Sequence, residues 1–204
     1  DVCSSDLVGS AIGGAWVKAG HEVMFSSLDL EADKKLAASL GGKASAGSTR
    51  DAANFGTVLL LSVPYAAVPA IAKDVGALVK GKIVIDTSNP IVARDGEVGA
   101  AAREKGAGLA TSEYLPGARI VRAFNAIGFA KMAVAASSSV RVGMPIAGDD
   151  ANAIEIASGL VREVGYEPVL VGTLAAMGKY LIPGTPLGGE HTPDEIRKIA
   201  ATLK

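Results

Sequence analysis

Val8 to Gly20 (VGSAIGGAWVKAG) reads as a helix nearly bare of large side chains, with Gly9, Gly13 and Gly14 set among Ala11 and Ala15. So small a surface lets a helix lie close against a sheet and aim its first N–H groups at a phosphate. Such a helix opens a βαβ unit, and the unit requires a buried apolar strand before it, ending in a glycine turn. What stands before Val8 is Asp1 to Leu7 (DVCSSDL), which is short and polar. With Gly9 counted as the third glycine of G-x-G-x-x-G, Ser4 and Asp6 occupy the first two positions, and Asp6 would turn a carboxylate toward a phosphate. The first strand is therefore expected to be missing or replaced, and residues 1–7 to be non-native. The chain as written is expected to be impaired in cofactor binding and in stability, because that strand is normally central to the sheet.

The remaining sequence alternates between two periods. Glu22 to Phe25, Thr57 to Val63, Lys82 to Asp86 and Arg119 to Phe124 are short apolar runs of the kind buried on both faces. Between them, Leu30 to Leu40 is an amphipathic helix closed by Gly41-Gly42, and Tyr65 to Val79 is a second helix opened after Pro64. Val142 to Ala147 and Glu167 to Val171 are later strands, separated by a helix over Ala151 to Gly165 that Asp149-Asp150 would cap. Val92 to Gly106 is read as a surface excursion carrying a helix. The fold class is α/β: a doubly wound, mostly parallel Rossmann-type sheet over residues 8–183, with right-handed crossovers. Residues 184–204 form a tail in which Thr192-Pro193-Asp194-Glu195 starts a short helix.

Composition narrows the ligand. Twenty basic and 21 acidic residues leave a net charge of −1 with no dense basic run, so neither nucleic acid nor a membrane surface is expected as a partner. No stretch approaches the roughly 18 apolar residues of a spanning helix. The one cysteine, Cys3, lies in the suspect heptapeptide, so disulfides, a thiol nucleophile and a thiolate metal site have no material. A small-molecule electron partner, a cytoplasmic location with export left open, and a homodimer as candidate assembly are the expectations.

In an open α/β sheet, ligands bind outside the carboxyl ends of the strands. The second strand ends at Phe25-Ser26-Ser27 with no acid to accept the 2′-hydroxyl of an NAD ribose; Ser26 and Ser27, with Lys34 and Lys35 nearby, suit a 2′-phosphate better. Asp29 argues mildly the other way, and a solvated helix face also accounts for the lysines. Ser62, Val63, Pro64 and Tyr65 end the next strand, Thr87-Ser88-Asn89-Pro90 the one after, and Asn125, Ala126, Ile127 and Gly128 a further one. These turns are expected to border a nicotinamide, although turn formation alone also explains Ser62 and Asn89. His21, in the turn between the first helix and the second strand at the end opposite the cleft, is read as structural, and His191, in the tail loop with no histidine or acid at general-base spacing, as incidental. No catalytic or metal-binding residue is assigned.

Taken together, Gly20-His21-Glu22-Val23, Leu61-Ser62-Val63-Pro64-Tyr65, Ile85-Asp86-Thr87-Ser88-Asn89-Pro90, Arg122-Ala123-Phe124-Asn125, Ala147-Gly148-Asp149-Asp150 and Gly165-Tyr166-Glu167-Pro168 resemble a known family. It is that of the NADP oxidoreductases similar to NADPH-dependent coenzyme F420 (deazaflavin) reductase, related to the N-terminal domain of pyrroline-5-carboxylate reductase. The resemblance implies that Gly9 and Ser10 belong to the phosphate turn and Ser26 and Ser27 to the 2′-phosphate site. It places Ser62, Val63, Pro64, Tyr65, Asn89, Ala126 and Ile127 around the nicotinamide and substrate. It implies NADP rather than NAD, with F420 as candidate co-substrate. Leu28 stands where the family often has an arginine to pair with the 2′-phosphate. The alternatives are a dinucleotide-binding sensor without turnover and an imine or carbonyl reductase.

Overall fold

The computed structural model describes residues 4–128 and 142–203. Cys3 lies outside the described residues. The opening helix, α1, runs Ser4–Ala19, so Ser4 to Leu7 continue the helix expected only from Val8. Nothing in that stretch breaks a helix, and Ser and Asp are at home in a first turn. It leads through the Gly20 turn into β1 (Val23–Phe25), followed by α2 (Leu30–Leu40), whose first turn is capped by the Asp29 carboxylate accepting from the Ala32 N–H at 3.0 Å. Then come β2 (Ala44–Ala46) and α3 (Thr49–Phe55), neither of which the apolar pattern announces. A capping box between Ser48 and Asp51 starts α3.

The central elements are β3 (Val58–Leu61), α4 (Val68–Val75), β4 (Ile83–Asp86), α5 (Val92–Lys105), α6 (Ala107–Tyr114) and β5 (Arg119–Arg122). A single 3₁₀ turn at Tyr65–Ala67 precedes α4, which ends at Gly76 instead of reaching Val79. Gly96 breaks α5 with non-helical angles, and Gly106, at φ 95°, separates α5 from α6. After residue 142 follow β6 (Gly143–Gly148), α7 (Ala151–Glu163), β7 (Glu167–Gly172), α8 (Leu174–Met177) and α9 (Pro193–Thr202).

The strands form two sheets. One is the parallel pair β1-β2, with Val23 opposite Ala44; the other has five strands in the order β3-β4-β5-β6-β7. All neighbours in the larger sheet are parallel except β5 and β6, where Val121 faces Gly148. Alternate residues of its inner strands feed two cores, as the pleat requires. Val84 and Ile120 pack with Val68, Val75 and Leu115, while Ile83, Ile85 and Val121 pack with Ile12 and Trp16 of α1 and Val161 of α7. Full burial of a side chain such as Ile12 contributes about 1.5–3 kcal/mol. The Trp16 indole N–H ties α1 to α7 by donating to the Leu160 carbonyl at 3.0 Å.

The C-terminal helix α9 joins the first core through Ile196 and Ala200. Its close seat explains the glycine at the start of β6: a Cβ on Gly143 would stand 2.5 Å from Ile196 Cδ1 and 3.2 Å from the His191 carbonyl oxygen. Among the described residues, no helix is long and apolar enough to cross a membrane.

Candidate functional site

Because β1, β3, β4 and β5 point the same way within their sheets, their carboxyl-terminal turns are the natural site. Ser62 and Val63 leave β3, Thr87 to Pro90 leave β4, and Ala123 to Ile127 leave β5. Polar contacts tie these turns together. The Leu61 carbonyl accepts from the Thr87 N–H (2.9 Å) and the Ser88 hydroxyl (3.2 Å), and the Val63 N–H is directed at Ser88 Oγ (3.3 Å). Asn89 Nδ2 donates to the Asn125 carbonyl at 3.0 Å, joining the β4 turn to the β5 turn.

Beneath the turns lies a fully buried ion pair. Arg122 Nη1 donates to Asp86 Oδ2 at 2.7 Å, and the same carboxylate oxygen accepts from the Thr111 hydroxyl at 2.9 Å. Asp86 Oδ1 holds the Ser88 N–H at 2.8 Å, while Arg122 also reaches the Ser88 carbonyl, Asn89 Oδ1 and the Leu181 carbonyl. Sequence reading took Asp86 as the end of one strand and Arg122 as lying within another, and missed the pair. The available signal was a charge in each of two runs otherwise apolar enough to be buried, IVID and RIVR.

A second carboxylate braces the outside of the β4 turn. Asp95, its side chain buried, accepts from the Ile91 N–H (2.8 Å), the Ala66 N–H (3.3 Å) and the Arg94 guanidinium (2.8 and 2.9 Å). Burial works to raise its pKa, but these donors outweigh it and hold the carboxyl below its ordinary value.

The β5 turn is strained. Phe124 has φ 64°, a left-handed conformation costly for a residue with a side chain. Its ring meets Tyr166 edge-on at 6.4 Å. Next to it, Asn125 is 1% exposed and its carboxamide oxygen has no hydrogen-bond partner among the described residues, nor has the Tyr166 hydroxyl. Burial, with Glu190 adding a smaller repulsion, pushes the Tyr166 phenol up to about 12.

A cavity of about 720 Å³ begins at these strand ends, with Gly9, Ser10, Ser26, Ser27, Ser62 and Val63 in its lining. Six of the sequence-selected residues are thus brought together. Asn89 belongs to the adjoining polar network, and Pro64 shapes the turn between Val63 and the 3₁₀ segment. Tyr65 corrects the sequence reading: it is wholly buried, with its hydroxyl bonded to the Ala107 carbonyl and Thr111 Oγ1 (both 3.0 Å), and supports the site from below. Ala126 and Ile127 are also buried, and the Gly189 N–H of the C-terminal loop bonds the Ala126 carbonyl at 2.9 Å.

The structure supplies the acid that the sequence reading found missing after β1. Asp33, from α2, accepts from both the N–H (2.6 Å) and the hydroxyl (2.9 Å) of Ser27. Lys34 is engaged with Glu31 at 2.8 Å, and Leu28 is fully exposed. At the other end of the cavity His21 pairs with Glu163 at 2.7 Å. His191 contacts the Gly188 carbonyl, Asp150 caps α7, and Asp149 accepts from the Leu174 N–H. Among the described residues, no group of three or more His, Cys, Asp or Glu is placed to hold a metal.

Residues 7–90 match the family described as NADP oxidoreductase, coenzyme F420-dependent. No curated protein matches the chain. A hypothetical protein from Sinorhizobium meliloti shares its structure with TM-score 0.78 and 26% identity over 91% of both chains. A putative F420-dependent NADP reductase from Arthrobacter sp. FB24 aligns with TM-score 0.70 and 18% identity, over 87% of this chain and 86% of that one. A pyrroline-5-carboxylate reductase from Coxiella burnetii aligns with TM-score 0.60 and 13% identity, over 82% of this chain but 57% of that one. These likenesses bear out the Rossmann-type α/β fold.

Proposed function

We propose, for a chain whose residues 7–90 match an NADP oxidoreductase family, that the strand-end crevice binds NADP(H) and serves hydride transfer to or from a flavin-like or deazaflavin (F420) partner. The observation that carries this reading is the set of three parallel-strand turns fastened to one another through Ser88, Asn89 and Asn125. A rigid, preorganised wall of that kind is what face-to-face placement of two rings requires.

The residues present fit a nicotinamide dinucleotide. The buried Asn125 carboxamide oxygen is an acceptor without a partner among the described residues, which suits a ligand carboxamide N–H. Gly9, in the second turn of α1, lies beside the end of β3, where an added Cβ would meet Ser62 Cβ at 3.7 Å, so α1 passes close to the Ser62 turn. When bound, the dinucleotide supplies a hydride donor or acceptor at its nicotinamide ring. The protein's part is orientation and exclusion of water. Asp86, the one acid in the β4 turn, is held by Arg122, Thr111 and Ser88 and is engaged in fixing that turn.

The test is NADPH oxidation with F420, a flavin and a cyclic imine offered in parallel. Turnover with the deazaflavin or flavin is the expected result. Turnover with the imine alone assigns a different reductase, and saturable NADPH binding with no turnover on any acceptor assigns a sensor.

A further inference from the structure

Arg122 carries only donors, and where it directs them decides more than the anchoring of a turn. Nη1 donates to Asp86 Oδ2 (2.7 Å) and the Ser88 carbonyl (3.1 Å), and Nη2 to the Leu181 carbonyl (3.2 Å) and Asn89 Oδ1 (3.3 Å). Every partner is an oxygen, as a guanidinium demands. The Asn89 carboxamide therefore has a single permitted orientation, since turning it over would set its NH2 against the guanidinium. Its nitrogen agrees, donating to the Asn125 carbonyl at 3.0 Å.

The constraint passes on to Asn125. Its Nδ2 lies 3.4 Å from the same Asn89 Oδ1, so that oxygen receives from Arg122 on one side and from Asn125 on the other. Reversing Asn125 would bring two carbonyl oxygens together. What remains is Asn125 Oδ1, buried and without a hydrogen-bond partner among the described residues. A buried acceptor left unmet is destabilising unless whatever fills the site supplies a donor. Position links it to the crevice: Asn89 follows Ser88, whose hydroxyl oxygen faces the N–H of Val63 in the cavity wall. Phe124, immediately before Asn125, holds its left-handed φ of 64°, which sets the direction in which Asn125 leaves the strand end. Arg122 and Asp86 cancel each other's charge as a buried pair, so it is the polarity of the two amides that is handed on.

We propose that Arg122 is a positioning residue: acting through Asn89, it holds the Asn125 carboxamide with its oxygen outermost, so that the joined β4 and β5 turns select a ring substituent bearing an N–H and discriminate against the same substituent with a methyl group in its place. The inference rests on the reading that puts a nicotinamide at these turns. Asn125 meets the carboxamide of that ring, and Arg122 acts without touching it. A hydroxyl at the same place rotates to meet either a donor or an acceptor, whereas a carboxamide braced by a neighbour of fixed polarity offers one atom only.

The experiment is calorimetric binding of oxidised NADP and two analogues, read without turnover. The 3-acetylpyridine analogue has CH3 in place of the amide NH2 and keeps the carbonyl; the thionicotinamide analogue keeps the NH2. The acetylpyridine form is expected to bind about tenfold more weakly than NADP, the order of effect of one donor lost to a buried acceptor, and the thionicotinamide form within about threefold. Asn89→Leu leaves Arg122 its Asp86, Ser88 and Leu181 contacts but frees Asn125 to turn, and should bring the acetylpyridine ratio below about threefold. Arg122→Met combined with Asp86→Asn should do the same. Lys82→Met removes an ammonium bonded to the Ala53 and Gly56 carbonyls at the opposite end of β4, so it loosens the fold without touching these amides and should keep the full ratio. A merely structural role for Arg122 lowers all affinities together and leaves the ratio standing. A ratio near one in the unmodified chain, a ratio undiminished in Asn89→Leu and in the double variant, or loss of all three nucleotides in both variants overturns the inference while the NADP reading stands. Absence of NADP binding by the unmodified chain overturns that reading and this inference with it.

Discussion

Arg122 and Asp86 meet at 2.7 Å with both side chains wholly removed from solvent, on adjacent strands at positions that pair directly in the sheet. The pair anchors the turns above it, since Asp86 holds the Ser88 N–H and Arg122 holds the Ser88 carbonyl and Asn89 Oδ1. Removing one partner leaves an uncompensated buried charge. Arg122→Met is expected to cost about 3–5 kcal/mol of stability. Arg122→Met combined with Asp86→Asn should cost less than the single change, as urea denaturation of both variants will report.

Asp33 predicts a change in cofactor choice. Its carboxylate is bonded to Ser27; on the proposed cofactor placement it faces the ribose 2′-substituent, where a carboxylate favours hydroxyl and opposes phosphate. Asp33→Asn should raise the ratio of NADPH to NADH affinity by about fivefold, the equivalent of about 1 kcal/mol of relieved repulsion. Calorimetric titration with both nucleotides measures it, and an unchanged ratio removes Asp33 from the specificity argument.

Asp95 makes stability depend on acid. Its carboxyl is held lower in the folded chain than in the unfolded one, so its contribution is complete above the unfolded value of about 3.9 and is lost as pH falls through the folded value. Asp95→Asn should flatten the loss of stability on acidification below about pH 4, measured by denaturant midpoints across that range.

Gly143 tests the seat of the C-terminal helix. An alanine there meets Ile196 and the backbone of His191 and Pro193, and the backbone atoms have little room to give. Gly143→Ala is expected to lower stability by about 1–3 kcal/mol. Amide exchange in Pro193–Thr202 should quicken, whereas Gly41→Ala, which meets no neighbour, should leave that helix unaffected.

The sequence announced what is local or periodic. The apolar runs became strands, Asp150 and Thr192 became caps, and Gly9, Ser26, Ser27, Ser62 and Val63 came to one cavity because strand ends in a parallel sheet share a side. What it hid depends on tertiary pairing. β2, Ala44-Ser45-Ala46, has no apolar pattern and is a strand through its register with β1. Asp33 reaches Ser27 by folding back from α2, and Arg122 with Asp86 is polar in a position where pattern reading expects only apolar packing. Tyr65 follows the same logic in reverse: it stands at a strand end by sequence, but the 3₁₀ turn rotates it into the core.

The most direct test of the crevice is amide exchange with NADPH at saturation. Slowed exchange at Ser26 to Leu28, Ser62 to Tyr65 and Ser88 to Asn89 together, with little change around His21 and Glu163 at the far end of the cavity, is the result expected. Protection confined to the His21 end, or none at any of the three turns under conditions where NADPH is shown to be bound, would contradict the account.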